Sequence, residues 1–300
     1  MSSENDRPLV YAHRGASERF AEHTRAAYLQ AIADGADGVE CDVHLTQDGH
    51  VVLLHDDDLD RTSDGTGPVA EKELAELREL DFHSWKGASV PPEFGAASEQ
   101  FLTLSELLDI LEEAGRPLGL AIEFKHPSPF GFRLEERTLE LLTARGWDAE
   151  SGLLGQLRVS FMSFDPAAVE ELLRTVPAAA ICQLVDDVDV EEVKEDLMLG
   201  GLAAGAVAVV LRGAQQRAEA ILKDGTAGIA GPGIGYLKEH ADRAGEWLRD
   251  GRRFRVWTVD DDADVDFCLS FGVQEITTNR PAEVLACLGA GHGEEPVRAL

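Results

Sequence analysis

Only six of the 300 residues are lysine, and the 27 basic side chains face 56 acidic ones, for a formal charge of −29. A chain this acidic repels nucleic acid and anionic membrane surfaces before any contact forms, so neither is expected as a partner. Cysteine is scarce as well. Cys41, Cys182, Cys268 and Cys287 stand far apart in apolar runs, which excludes a CxxC or zinc spacing and reads as reduced core residues. No stretch is long and apolar enough to span a bilayer, and the opening MSSENDRPLVYAH lacks the basic-then-apolar order of a secretion signal. The expectation is a soluble, cytoplasmic protein with no stable membrane association. A glycine-rich dinucleotide turn is missing too, since His13-Arg14-Gly15-Ala16-Ser17 is not one.

What is present centres on Gly35 to Asp58, GADGVECDVHLTQDGHVVLLHDDD. Val39 to Val43 has strand character, and alternation puts Glu40 and Asp42 on one face with Cys41 on the other. Thr46-Gln47-Asp48-Gly49 supplies an Asp-Gly turn and His50 to His55 a second β-branched run, so the segment reads as a hairpin that carries His55 back beside the carboxylates. Two carboxylates two residues apart make a hard oxygen half-site suited to Mg²⁺ or Ca²⁺, with an imidazole at hand for proton transfer. The wet face of an edge strand would also carry such a pair, so the rest of the chain must decide.

The remainder alternates short strands and helices. Pro8 to His13 reads as the first strand, followed by a helix that opens at Glu22-His23-Thr24 and ends at Asp34-Gly35. Residues 56 to about 117 form a long excursion with a helical patch at Ala70 to Leu80, then a helix from Leu102 to Glu113 capped by Thr103 or Ser105. Leaving out the hairpin's return strand, eight strands begin near Leu9, Val39, Ala121, Val159, Ala179, Gly228, Arg255 and Glu275. The run Ala203 to Leu211 is open between strand and helix. With 44% hydrophobic residues and this order, a single (β/α)₈ TIM barrel over residues 1–288 is expected, with a hairpin after the second strand, an inserted excursion at about 56–117 and a disordered tail at 289–300.

Catalytic groups of such barrels stand at the C-terminal ends of strands. His13 then ends the first strand, Asp42 the second and Lys125 the third, with Glu123 on the same face as Lys125. Glu40, Asp42 and Glu123 form an all-carboxylate half-shell for one divalent ion, Mg²⁺ or Ca²⁺, and Arg14 and Lys125 can hold phosphate charge. A lone histidine at a strand end is more often structural, and a single EFK triplet is weak. The joint occurrence carries the weight.

Taken together, His13-Arg14-Gly15, Glu22-His23-Thr24, Glu40-Cys41-Asp42, Thr46-Gln47-Asp48-Gly49, His55-Asp56, Asp60-Arg61-Thr62 and Glu123-Phe124-Lys125 resemble the ordered motifs of the glycerophosphodiester phosphodiesterase family. The shorter Ser163-Phe164-Asp165, Trp257-Thr258-Val259-Asp260 and Thr277-Thr278-Asn279-Arg280-Pro281 extend the match over nearly the whole chain. The resemblance implies a phospholipase-like TIM barrel that uses one divalent ion to hydrolyse small glycerophosphodiesters to glycerol 3-phosphate and an alcohol. It implies Glu40, Asp42 and Glu123 as metal ligands, His13 and His55 as the acid/base pair, Arg14, Lys125, Trp257 and Glu22 on the substrate side, and the excursion after His55 as an inserted capping segment over the barrel mouth.

Two positions depart from the family. His23 stands where Asn is common, and Asp260 where Asn frequently follows Trp-Thr-Val; the second is expected to add negative charge at the pocket rim. A lysophospholipase D or sphingomyelinase D-like activity on lipids uses the same barrel and motifs. A barrel kept only for binding predicts a lost ligand or histidine, and none is lost.

Overall fold

The structure, a computed structural model, describes residues 7–189 and 201–290. Its strands are β1 (Leu9–Ala12), β2 (Gly38–Leu45), β3 (Val51–Leu53), β4 (Leu118–Phe124), β5 (Leu153–Leu154), β6 (Leu157–Ser163), β7 (Ile181–Val185), β8 (Ile229–Pro232), β9 (Arg253–Val256) and β10 (Glu275–Thr278). Eight of them pair in parallel in the order β1, β2, β4, β6, β7, β8, β9, β10. The ring closes because β1 pairs on one side with β10, Leu9 opposite Glu275 and Ala12 opposite Thr278, and on the other with β2, Tyr11 opposite Gly38. This is the expected (β/α)₈ barrel. β3 folds back antiparallel on β2, with Val43 opposite Leu53, which is the expected hairpin. β5 is a two-residue antiparallel addition to β6, too short for any alternation to reveal it.

Strand parity sorts the side chains. Val39, Cys41 and Val43 join the apolar layer beneath the helices, together with Leu104, Leu107, Leu108 and Phe124. The other face fills the barrel. Tyr11 lies across its lower part, where a Cβ on Gly119 would stand 2.2 Å from the Tyr11 hydroxyl and one on Gly38 2.6 Å from its ring. Arg255 stacks 4.5 Å over the Tyr11 ring, pairs with Glu275 at 2.6 Å and donates to Ser160 Oγ at 3.0 Å. A buried charge survives in such a place only when it is paired and hydrogen-bonded in this way.

Helices link the strands. The first, Arg25–Ala33, is capped by Thr24. The expected patch at Ala70 to Leu80 is shorter than the sequence suggests: a 3₁₀ turn at Val69–Glu71 ends at extended Lys72, and Glu73 restarts the chain as the cap of Leu74–Leu77. The rest of the excursion runs through further 3₁₀ turns around a satellite core of Val52, Leu54, Leu59, Val69, Leu77, Phe82 and Phe101. Leu104–Glu113 is capped by Thr103, whose hydroxyl takes the Glu106 N–H while the Glu106 carboxylate takes the Thr103 N–H; Ser105 lies inside the helix. The ambiguous run Ala203 to Leu211 is helical, within Gly201–Asp224. Gly289 and Ala290 complete the helix Pro281–Ala290, and the rest of the expected tail, 291–300, lies outside the described residues. Among the described residues no helix is long and apolar enough to cross a membrane.

Candidate active site

Register brings the carboxylates together. Asp42 on β2 stands opposite Glu123 on β4, and Glu40 opposite Ala121. All three are buried, and each offers an oxygen within 4.8 Å of the others. β2 continues past Asp42 to Leu45 because the hairpin pairs its last residues, so Asp42 lies within the strand, level with Glu123, and not at its end.

Cations surround this cluster on one side. Lys125 Nζ is 2.5 Å from Glu123 Oε1 and 3.0 Å from Asp42 Oδ1, while Arg14 Nε is 3.1 Å from Asp42 Oδ2. The Arg14 backbone N–H donates to Glu40 Oε2 at 2.9 Å, in a turn where Arg14 has φ +57° and Gly15 φ +83°. Only glycine fits the second place, since a Cβ there would lie 2.7 Å from Ala27.

The charges do not balance evenly. Burial opposes ionisation of Asp42, yet Lys125 and Arg14 hold its carboxyl well below the usual range. Burial, with the neighbouring Asp42 and Glu123 charges, pushes Glu40 well above it. Glu40 Oε1 has no hydrogen-bond partner at all. Three buried carboxylates with an orphaned oxygen form a donor set that a hard divalent cation satisfies.

Both histidines stand at the cleft, each with Nδ1 engaged from behind. His13 Nδ1 lies 2.8 Å from Asn279 Oδ1, and His55 Nδ1 2.7 Å from Asp56 Oδ1. Burial, reinforced by Arg14, lowers His13 to about 3. Asp56 is gripped by Arg61 through bonds of 2.6 and 2.9 Å, and against the burial that opposes ionisation, His55 and Arg61 keep it a carboxylate. Arg61 reaches on to Glu22 at 2.8 and 2.9 Å, and Glu22 to Arg14 Nη1 at 2.9 Å. Glu22 therefore does not line the cleft; it ties two arginines together.

The cleft is small, about 50 Å³, walled by His13, Arg14, Glu40, His55, Glu123 and Lys125 on its polar side. Trp257 lies on its apolar side with Phe164, whose ring meets the indole edge-on at 5.3 Å. The Trp257 indole N–H is held by the Gly231 carbonyl at 2.8 Å.

The two departures from the family pattern both have definite places. His23 has φ +61°, a left-handed backbone that Asn tolerates better than most residues, and its ring bridges Asp42 Oδ2 at 2.9 Å and the Tyr28 hydroxyl at 2.8 Å. Asp260 does not charge the pocket rim. Its carboxylate turns inward to Thr278 Oγ1, the Asn279 N–H and the Asn279 side-chain amide. Sequence reading missed Asn279, Arg61 and the inward Asp260 as members of the site, although each lies inside a recognised motif. His44 and His126 are occupied elsewhere, near the His55 carbonyl at 3.3 Å and Glu135 at 2.6 Å.

Comparison with known proteins gives one consistent result. The model of the Glycerophosphoryl diester phosphodiesterase family matches residues 13–283. The chain is 36% identical over 291 residues to the "Probable glycerophosphodiester phosphodiesterase 1" of Mycobacterium tuberculosis, covering 97% of this chain and 96% of that one. It is 27% identical to the Glycerophosphodiester phosphodiesterase of Bacillus subtilis, over 92% and 85% of the two chains. Among solved structures, an Oleispira antarctica phosphodiesterase in complex with the product sn-glycerol-3-phosphate superposes with a TM-score of 0.68 at 23% identity, covering 94% of this chain and 97% of the other.

Proposed function

Because this chain belongs to the glycerophosphoryl diester phosphodiesterase family, we propose that it hydrolyses small glycerophosphodiesters to glycerol 3-phosphate and an alcohol with the help of one divalent cation. The observation that carries the metal requirement is the Glu40, Asp42 and Glu123 cluster, three buried carboxylates with Glu40 Oε1 unpartnered. These three side chains would hold Mg²⁺ or Ca²⁺, which when bound supplies positive charge against the phosphate. Arg14 and Lys125, both at the cleft, hold and orient the remaining phosphate oxygens.

The two histidines divide the proton transfers. His13, half-buried at the cleft and held uncharged at neutral pH by desolvation and by Arg14, takes the proton of the attacking hydroxyl or water. His55 has a carboxylate behind its ring, a partner fit for a ring carrying two protons, and gives one to the departing alcohol. Trp257 and Phe164 wall the space in which the alcohol leaves.

Phosphorus NMR with glycerophosphocholine, glycerophosphoethanolamine and lysophosphatidylcholine, after chelation and then with Mg²⁺ or Ca²⁺ restored, tests this. Glycerol 3-phosphate is the expected product, formed only with an ion. Glu123→Gln keeps an oxygen donor but loses charge, so most activity should vanish at low metal and part of it return at high metal. Turnover indifferent to chelator, or an unchanged metal dependence in the variant, would falsify the assignment. A cyclic phosphate as the end product points to a lyase.

A further inference from the structure

We infer that Asp260, which touches neither the cleft nor a reacting atom, is a positioning residue that fixes, through the Asn279 amide, which ring nitrogen of His13 carries the proton. The inference rests on the reading of His13 as the proton acceptor.

The geometry leaves little choice. Asp260 Oδ1 accepts from the Thr278 hydroxyl and from the Asn279 N–H, each at 2.8 Å, and Oδ2 accepts from Asn279 Nδ2 at 2.6 Å. A carboxylate only accepts, so the amide must turn its NH₂ toward Asp260 and its oxygen toward His13. That oxygen stands 2.8 Å from His13 Nδ1 and also only accepts. The hydrogen therefore sits on Nδ1, and the lone pair on Nε2, the nitrogen free to serve the cleft. Turning the amide over would set two acceptors 2.6 Å apart. Ser17 Oγ lies 2.7 Å from Asn279 Oδ1 and 2.8 Å from the His13 carbonyl; its single proton can go to either, so Ser17 does not make the choice.

Replacing Asp260 by Asn reverses the logic. Thr278 and the Asn279 N–H still need an acceptor, so the new amide gives them its oxygen and presents NH₂ to Asn279. Asn279 answers by turning its own oxygen to position 260 and its NH₂ to His13. Nδ1 must then accept, and the ring proton moves to Nε2, where it blocks proton uptake from the nucleophile. The double exchange D260N/N279D repairs this: a carboxylate at 279 accepts both from the amide at 260 and from His13 Nδ1–H.

The test uses the full chain with ¹⁵N-labelled histidine, the His13 signals being assigned by their loss in His13→Gln. Long-range ¹H–¹⁵N spectra at neutral pH should show the Nδ1–H tautomer in the wild type and Nε2–H in D260N. With glycerophosphocholine and Mg²⁺, kcat of D260N should fall about a hundredfold, within the usual worth of acid–base help, while KM stays within about twofold. The double exchange should return kcat to within about threefold of wild type.

An Nε2–H tautomer in the wild type overturns the inference even if D260N does not fold. So does a folded D260N with wild-type tautomer and kcat. Near-normal kcat in His13→Ala would instead sink the reading of His13 as acceptor, and the wild-type spectrum would still decide the role of Asp260.

Discussion

His13 and His55 face the same cleft with different groups at their backs, a neutral amide for one and a carboxylate for the other. If His55 protonates the leaving alcohol, His55→Ala should be forgiven by a p-nitrophenyl phosphodiester, whose leaving group needs no proton. His13→Ala should not be. The ratio of the two variants' rates on that substrate should reach at least about tenfold, given the usual size of acid–base contributions, and the opposite ratio would exchange the two roles. That His13 and His55 stand with the carboxylates at one cleft was legible in the sequence, because a histidine at a strand end and carboxylates of one parity are local patterns; which ring takes a proton and which gives one was not. Asp56 behind His55 is its next residue and equally local, but the group behind His13 is not. Asn279 meets His13 across 266 positions of sequence, and Arg61 meets Glu22 across 39, and nothing in the local residues says which amide or guanidinium arrives there.

At the level of elements, parity was the dependable signal and length the unreliable one. β2 reads correctly because its outward Val39, Cys41 and Val43 and its inward Glu40 and Asp42 differ in chemistry. The helical patch at Ala70 to Leu80 misleads because extended Lys72 interrupts a run whose residues all suit a helix. The inward faces of β2 and β4 also carry glycines, Gly38 and Gly119, and it is the Tyr11 side chain that occupies the space their missing Cβ atoms leave. Gly119→Ala should therefore destabilise the protein by about 1–3 kcal/mol through overpacking. Urea denaturation of the variant measures this, and an unchanged midpoint would show that Tyr11 has room to move. Thr103, by contrast, caps an outer helix, so its loss should leave the barrel interior untouched.

Across the whole molecule, the pair Arg255 and Glu275 links β9 and β10 and, through Ser160, reaches β6 on the far side of the barrel. Burial disfavours the Arg255 charge, but Glu275 more than restores it. Removing Arg255 leaves Glu275 charged and buried, with only the exposed Arg253, 3.2 Å away, as its cation. Arg255→Met alone should thus cost roughly 3–5 kcal/mol, and Arg255→Met with Glu275→Leu far less. Chemical denaturation of the two variants decides it: equal losses would mean that packing, not charge, sets the stability of the interior.

The closing of the ring has one more consequence. β1 is the first strand and β10 the last, and His13 finds Asn279 only where these two meet. A nascent chain still short of its final strand, or a proteolytic stump without it, already contains Glu40, Asp42, Glu123, His13 and His55. It lacks Asn279, whose side-chain oxygen stands 2.8 Å from His13 Nδ1, together with Glu275, the partner of Arg255, and Thr277 at the cleft. On the proposed roles, a chain without its last strand has neither a closed barrel nor a held His13 ring, so activity should appear only once β10 is in place.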